Sequence, residues 1–597
     1  MASEPRGPLE RLWRAEQLMC QGKVDEARPL IEGLEKEEDL PSNDRLTWQL
    51  LQSQLLITTG DYEASHQLAK QVWKESKEQG KLLQAVDACI VAAEALELSG
   101  NYETSAKVIA EGEQMLAAVA GEAPTARAER KASFVHLRGR LCYFKGEEDQ
   151  AMDYLQQSLA LRQELGNKHA IAVSLQSIGT IHNYNSDGDQ ALDYTQQALR
   201  LFQEVGDKYR VGWCSTNIGV VFRSKGKFSS ALKSCQQGLT LFQELGNKRM
   251  AAYSLQWLGR IYFGKGELER ALDYYLQQRP IVEELGDKWE MAVYNGHLGE
   301  LHLHRGEIDQ AEECYQQLVT LGHKLGHKLF IANGNGLLGV VHWQKGALEQ
   351  AATLLEENLR YHEEQGTNVG AGDCLFWLIL VSLDKGSSEQ AQQYLERLQH
   401  ILEQEDHKIL RQDYRVAQAL VLKASPRIRD KARAQELLQQ LAEEEEEMVN
   451  FYNAQIAMIN LCELLLDELK AYGEISVLQE AKHLVDRLYF SAQAQHSLSL
   501  VVNSLILKAK FAMIEGDLIA ATRYLEQARV TAEEKNLGQL AKKVTTEKNQ
   551  LEAQYETWEQ LIQRNATIKE RVEHARVADY LKGVEKLVSV QRLELSS

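Results

Sequence analysis

Apolar and polar positions along this chain follow two superposed periods, that of an α-helix and a longer one of 40 residues. The short period is plain in segments such as Ala271, Leu272, Tyr275 and Ile281, whose spacing predicts a helix with one buried stripe. Three combs in a common register carry the long period. Alanine recurs at Ala151, Ala191, Ala231, Ala271, Ala311, Ala351 and Ala391. Glycine recurs 12 residues earlier, at Gly139, Gly179, Gly219, Gly259, Gly299 and Gly339, with Ile379 in the next place. A second glycine comb runs through Gly146, Gly226, Gly266, Gly306, Gly346 and Gly386, with Ser186 as its substitution. Self-similarity at a fixed period marks a repeat architecture, in which each unit buries its apolar face only against its neighbours.

Each period divides into two predicted helices. The first runs through a centre such as Ile178-Gly179, Ile218-Gly219, Leu258-Gly259 or Leu298-Gly299. Glycine there costs about 1 kcal/mol of helix propensity but lets a neighbouring helix come close. The second opens after the turn glycine and ends at Leu165-Gly166-Asn167, Val205-Gly206-Asp207, Leu245-Gly246-Asn247 or Leu285-Gly286-Asp287. Glycine suits the left-handed residue that closes a helix, and Asn or Asp suits the N-cap of the next one. Arg138 stands in a Leu place, and Pro280 predicts a kink in a second helix.

The order Leu-Gly, a ring three residues later, then Gly, then Ala resembles the tetratricopeptide repeat, in the long form of about 40 residues seen in kinesin light chain. The resemblance is specific over 132–400, the regular block. Divergent copies are expected over 1–131 (Gly60-Asp61-Tyr62, Gly100-Asn101-Tyr102) and over 401–535 (Gly516 with Ala521 and Leu525), followed by capping helices over 536–597. The phrase Trp558-Glu559-Gln560-Leu561-Ile562 also resembles the tails of long archaeal proteins of this class. The resemblance implies an all-α, right-handed superhelix of about 13 helix-turn-helix repeats with a C-terminal cap.

Composition narrows the class further. The 597 residues would fill about four ordinary domains, yet only 7 are proline, as a continuous helical array requires. Hydrophobic residues at 44% and charged residues at 26% exclude wholesale disorder and a membrane-embedded chain. The net charge of −19 argues against a general affinity for nucleic acid or an anionic membrane. No secretory leader and no apolar run of about 18 residues is present, so a cytoplasmic protein is expected. Eight scattered cysteines without C-x-x-C spacing predict buried thiols, neither a zinc site nor a disulfide framework.

Several strings imitate chemical motifs. Gly334-Asn335-Gly336-Leu337-Leu338-Gly339 spells a dinucleotide fingerprint, but Gly339 is the repeat's own centre and no strand precedes it. Gly259 to Lys265 begins like a phosphate loop, but Gly266 stands where Ser or Thr must reach magnesium. His182, His302 and His342 share a repeat position with Tyr262 and Phe222, which marks a place for a flat ring between helices. His323 and His327 have no third ligand at metal spacing, and the run from Glu443 to Glu447 reads as a solvated helix face. No serine, cysteine or carboxylate is singled out for catalysis, so neither an enzyme nor a cofactor or metal is expected.

In the family that this chain resembles, first helices line a concave groove, with side chains three before and one, four and five after the central glycine. Carried over, that implies a peptide-binding groove containing His136, Arg140, Tyr143, Gln176, Asn183, Tyr184, Arg223, Gln256, Arg260, Glu300 and His304. Rings alternate there with amides, which suits an extended or helical peptide. Arg140, Arg223 and Arg260 stand out in an acidic chain and imply an acidic protein or peptide ligand. The expected function is a non-catalytic scaffold. The alternative is a sensory module binding a small effector, and the tail beyond Ile568 is expected either to cap the array or to fold into the groove.

Overall fold

Turn chemistry sets the frame. Gly166, Gly206, Gly246, Gly286, Gly326 and Gly366 all take the left-handed conformation, with φ between 61° and 82°, and each is followed by the start of a first helix. Asn167, Asp207, Asn247 and Asp287 accept backbone N–H groups of that helix, at 3.1, 3.0, 2.9 and 2.9 Å respectively. Both halves of the expected punctuation are therefore in use. At the equivalent place His327 accepts from Phe330 N through Nδ1 at 3.2 Å.

The protein is seen in a computed structural model, which describes residues 7–20, 23–35, 40–119, 124–145, 147–184, 187–405, 407–445, 451–534 and 538–592. Gly22, Gly146, Ser186, Glu446, Glu447 and the side chain of Tyr184 lie outside them. Among the described residues there are thirty helices and no strand. The first twenty-six follow one another along the chain as thirteen pairs, from Pro8–Cys20 with Val24–Gly33 to Leu498–Glu515 with Leu518–Glu534. Four further helices follow: Gly538–Ala553, Tyr555–Gln563, Ile568–Ala575 and Val577–Gln591. The string from Gly334 to Gly339 lies inside the helix Lys328–Gln344, without a strand before it. Pro280 sits inside the helix Leu268–Leu285.

The comb glycines mark close helix pairs. A Cβ on Gly219 would lie 2.4 Å from Cys235 Sγ and 2.9 Å from the carbonyl oxygen of Ala231. A Cβ on Gly139 or Gly339 would stand 2.8 Å from Cγ of Leu155 or Leu355. The alanine comb is fully buried beneath them. The Cys89, Cys214, Cys235, Cys314, Cys374 and Cys462 side chains are buried, and that of Cys142 is half-buried.

The chain forms two compact units, one of residues 1–261 with 276–285 and one of 262–275 with 286–597. In the first, distant repeats meet: Asn247 Nδ2 donates to Thr58 O at 2.7 Å across 189 residues, and the Arg249 guanidinium stands 5.2 Å from the Tyr62 ring centroid. In the second, a continuous core runs from Leu303 to Val590 and includes Trp377 and Phe376. The helix Val577–Gln591 there lies against the first helices of the hairpins, not against their second helices.

Candidate functional site

Four successive first helices of the first unit bring their inward side chains around a cavity of about 270 Å³. Leu98 closes it from the helix Leu82–Leu98, Arg140, Tyr143 and Phe144 from Pro124–Phe144, Gln176, Ser177, Thr180 and Ile181 from Lys168–Tyr184, and Tyr209, Arg210 and Trp213 from Lys208–Ser224. Residues three and four apart on a helix share a face, so Gln176 with Thr180 and Tyr209 with Trp213 reach the same space. Phe144 is one of the few exposed large apolar side chains, and its ring stacks on Tyr102 at 4.4 Å. The wall is apolar and aromatic, with a few polar groups set into it, the usual composition of a ligand site.

Its electrostatics rest on three arginines and two carboxylates. Arg210 donates to Glu94 at 3.0 Å and to the Gln176 side-chain oxygen at 3.4 Å. Arg162, behind the cavity, donates to Ala170 O and Ser174 Oγ, and burial lowers its pKa to about 10. Arg140 Nε stands 3.2 Å from Glu97 Oε2, but neither oxygen of that fully buried carboxyl accepts a hydrogen bond. Burial therefore outweighs the attraction of Arg140 and, with Glu94 adding repulsion, pushes Glu97 up to about 8. That shift favours the protonated form of Glu97, and the carboxylate that pairs with the wall is Glu94, with Asp207 also attracting Arg210.

Of the residues expected in a groove, Arg140, Tyr143 and Gln176 meet in this cavity. His136 is buried behind it with Nε2 at 3.4 Å from Ser177 Oγ. Burial, reinforced by Arg162, Arg140 and Arg210, holds its pKa well below the usual range. Asn183 is half-buried at the end of the helix Lys168–Tyr184. Arg223 stands 5.5 Å from the Trp257 ring centroid, and Gln256 and Arg260 are buried in the helix Lys248–Gly264. These four do not line the cavity. Glu300 and His304 belong to the second unit. There His304 packs edge-on against Phe263 at 4.8 Å, and burial lowers its pKa to about 4.

Tyr209, Arg210 and Trp213 lie before the groove positions of their helix, so spacing from the central glycine passes over them. Glu94 and Glu97 carried a different signal: they are acidic residues in the strongly apolar helix LLQAVDACIVAAEALEL. A carboxylate in such a helix requires a partner. Among the described residues no group of three His, Cys, Asp or Glu side chains is placed to hold a metal ion, and no helix is long and apolar enough to cross a membrane.

A family model described as the MalT-like TPR region matches residues 132–324 and 289–536, together more than half of the chain. The chain belongs to the MalT-like TPR family. No curated protein sequence matches this MalT-like TPR chain. Among solved structures it is similar to a Rap protein complexed with competence and sporulation factor, at 15% identity over 62% of this chain and 99% of that one, with a TM-score of 0.47. Another is the apo quorum sensor NprR of B. thuringiensis, at 16% identity, 61% and 100% coverage and a TM-score of 0.43. A third is a signal-transduction ATPase with a tetratricopeptide-repeat sensor from Pyrococcus horikoshii, at 12% identity, 73% and 72% coverage and a TM-score of 0.43. With TM-scores below 0.5, none of these likenesses says anything of what this chain binds.

Proposed function

We propose that this MalT-like TPR chain is a non-catalytic interaction module that captures a peptide segment of another protein in the cavity of its first unit. The observation that carries the reading is the composition of that wall: Tyr143, Phe144, Tyr209 and Trp213 around Arg140 and Arg210, beside a Glu97 that burial keeps neutral. A cavity of about 270 Å³ lies near the low end of the roughly 300–1,000 Å³ of small-ligand pockets, the size of one or two peptide side chains. The ligand is therefore an apolar or aromatic side chain with a carboxylate close to it. The carboxylate pairs with Arg140 and Arg210, and the ring enters between Tyr209 and Trp213.

The test is a displayed random-peptide library panned on the full-length chain, with the selected peptides measured against Thr180→Phe, which fills the cavity. Enriched sequences should pair Asp or Glu with an aromatic residue and lose at least tenfold in affinity for the filled variant. Selected peptides that bind Thr180→Phe as tightly as the parent would refute the site. The small-effector reading is checked in parallel by a thermal-shift screen with sugars and nucleotides. A rise in melting temperature that Thr180→Phe removes, without any peptide binding, would replace the peptide with an effector.

A further inference from the structure

In the second unit the last two helices cover the side on which first helices converge. The helix Ile568–Ala575 opens with a capping box at Thr567 and Glu570, and the chain then breaks at Arg576, with φ of 48°. The helix Val577–Gln591 buries Val577, Tyr580, Leu581, Val584 and Val588, one stripe at helical spacing. Three of its polar side chains are met by first helices: Tyr580 donates to Asn503 at 2.7 Å, Glu585 accepts from Asn460 at 2.8 Å, and Lys586 pairs with Asp384 at 3.0 Å beside the Trp343 ring.

Its end is the most specific contact. Arg592 is 2% exposed. Its guanidinium donates to Asp373 at 2.7 Å and to Asp413 at 2.5 Å, and lies 4.0 Å from the Phe376 ring centroid. Asp413 also accepts from Asn453 at 2.8 Å. Asp373, Asp413 and Asn453 are 40 residues apart, one register position on three consecutive first helices. Phe376 and Asp384 fall three before and five after Ile379, which takes the central place of its repeat, and Trp343 falls four after Gly339. These are the spacings at which the resemblance puts groove residues. The tail thus occupies the positions of a ligand, and its anchor is a buried arginine fork between two carboxylates. A cover for an apolar end would need no such pair, because a desolvated ion pair adds specificity more than stability.

We infer that the first-helix face of the second unit is a docking groove for an amphipathic helix ending in arginine, filled in this chain by Val577–Gln591 with Arg592 and open to a partner protein's helix of the same chemistry once the tail is released. Asp373 and Asp413 read the arginine, Phe376 stacks on it, and the row from Trp343 to Asn503 receives the apolar stripe. The tethered tail competes at high effective concentration, so a partner must match its chemistry closely or act on a loosened tail. This inference goes beyond the peptide cavity of the first unit and does not rest on it.

The test uses full-length chains and a fluorescein-labelled synthetic peptide of residues 577–597. In Arg592→Gln and, separately, in Leu581→Ala, amides of 577–591 should exchange at least tenfold faster, with the helices Asn368–Asp384 and Phe451–Tyr472 unchanged. The peptide should bind Arg592→Gln at least tenfold more tightly than it binds the parent chain, whose own tail competes. A peptide carrying the same Arg592→Gln change should lose at least tenfold of that binding. Loss of protection in all these helices together would make the tail an integral part of the core and overturn the inference. Unchanged tail exchange in both variants, or a peptide that binds both chains equally or neither, would overturn it as well.

Discussion

Glu97 is a carboxyl whose surroundings favour its proton. It is fully buried, its oxygens accept no hydrogen bond, and the attraction of Arg140 is opposed by burial and by the nearby Glu94. The folded chain holds that proton up to about 8, whereas an unfolded chain releases it near 4.5. Wherever the native state binds more protons than the unfolded one, stability falls as pH rises. The first unit should therefore lose stability between about pH 5 and 8, by an amount on the order of a few kcal/mol. Glu97→Gln should flatten that slope, as urea titrations at pH 5, 6.5 and 8 would report. A slope that survives in Glu97→Gln would assign it to another group. The residue-level signal was in the sequence, since Glu94 and Glu97 are conspicuous in an apolar helix. What they face was not, because Arg140 and Arg210 reach them from other repeats.

At the scale of the element, identical glycines do different things. Gly219 and Gly296 both lie inside first helices, and both would gain about 1 kcal/mol of helix propensity on substitution by alanine. At Gly219 the added methyl meets Cys235 Sγ at 2.4 Å and a backbone oxygen at 2.9 Å, whereas at Gly296 nothing lies nearer than Leu318 Cδ2 at 3.9 Å. Gly219→Ala should destabilise the first unit by roughly 1–3 kcal/mol, the usual cost of overpacking. Gly296→Ala should stabilise the second by about 0.5–1 kcal/mol. Denaturation midpoints of the two variants should move in opposite directions, and equal shifts would mean that the helices relax around the new methyl. The comb carried this distinction, because Gly219 lies on it and Gly296 does not. Helices, turns, caps and the count of hairpins were legible for the same reason: every one is a local consequence of spacing, φ and hydrogen-bonding chemistry within about forty residues.

At the scale of whole units, what the sequence left unread is long-range. Nothing local marks Asn247 as different from Asn167, for both follow a left-handed glycine and both cap a helix. Only Asn247 also donates to Thr58 O, 189 residues away. Asn247→Asp keeps the cap and removes that donor. Amides of the helices Ser42–Thr59 and Tyr62–Glu78 should then exchange faster, while those of Lys248–Gly264 stay protected. Equal loss in all three would mean that the cap, not the cross-repeat bond, was what mattered. The cavity of the first unit and the arginine pocket of the second escaped a residue-by-residue reading for a related reason. Each is assembled from several repeats, and what distinguishes it is one partner contributed from elsewhere, Glu97 for Arg140 and Arg592 for the ladder of Asp373 and Asp413.

The bond between Asn247 and Thr58 also has a consequence in time. Helix hairpins fold locally and fast, so the early repeats can stack on their neighbours soon after leaving the ribosome. Thr58 must wait for Asn247 to be made, and at roughly 5–20 residues per second that interval is about 10–40 s. For that long the early repeats exist as a folded row with one carbonyl and the Tyr62 ring still uncovered, a nascent state for which the finished protein has no counterpart.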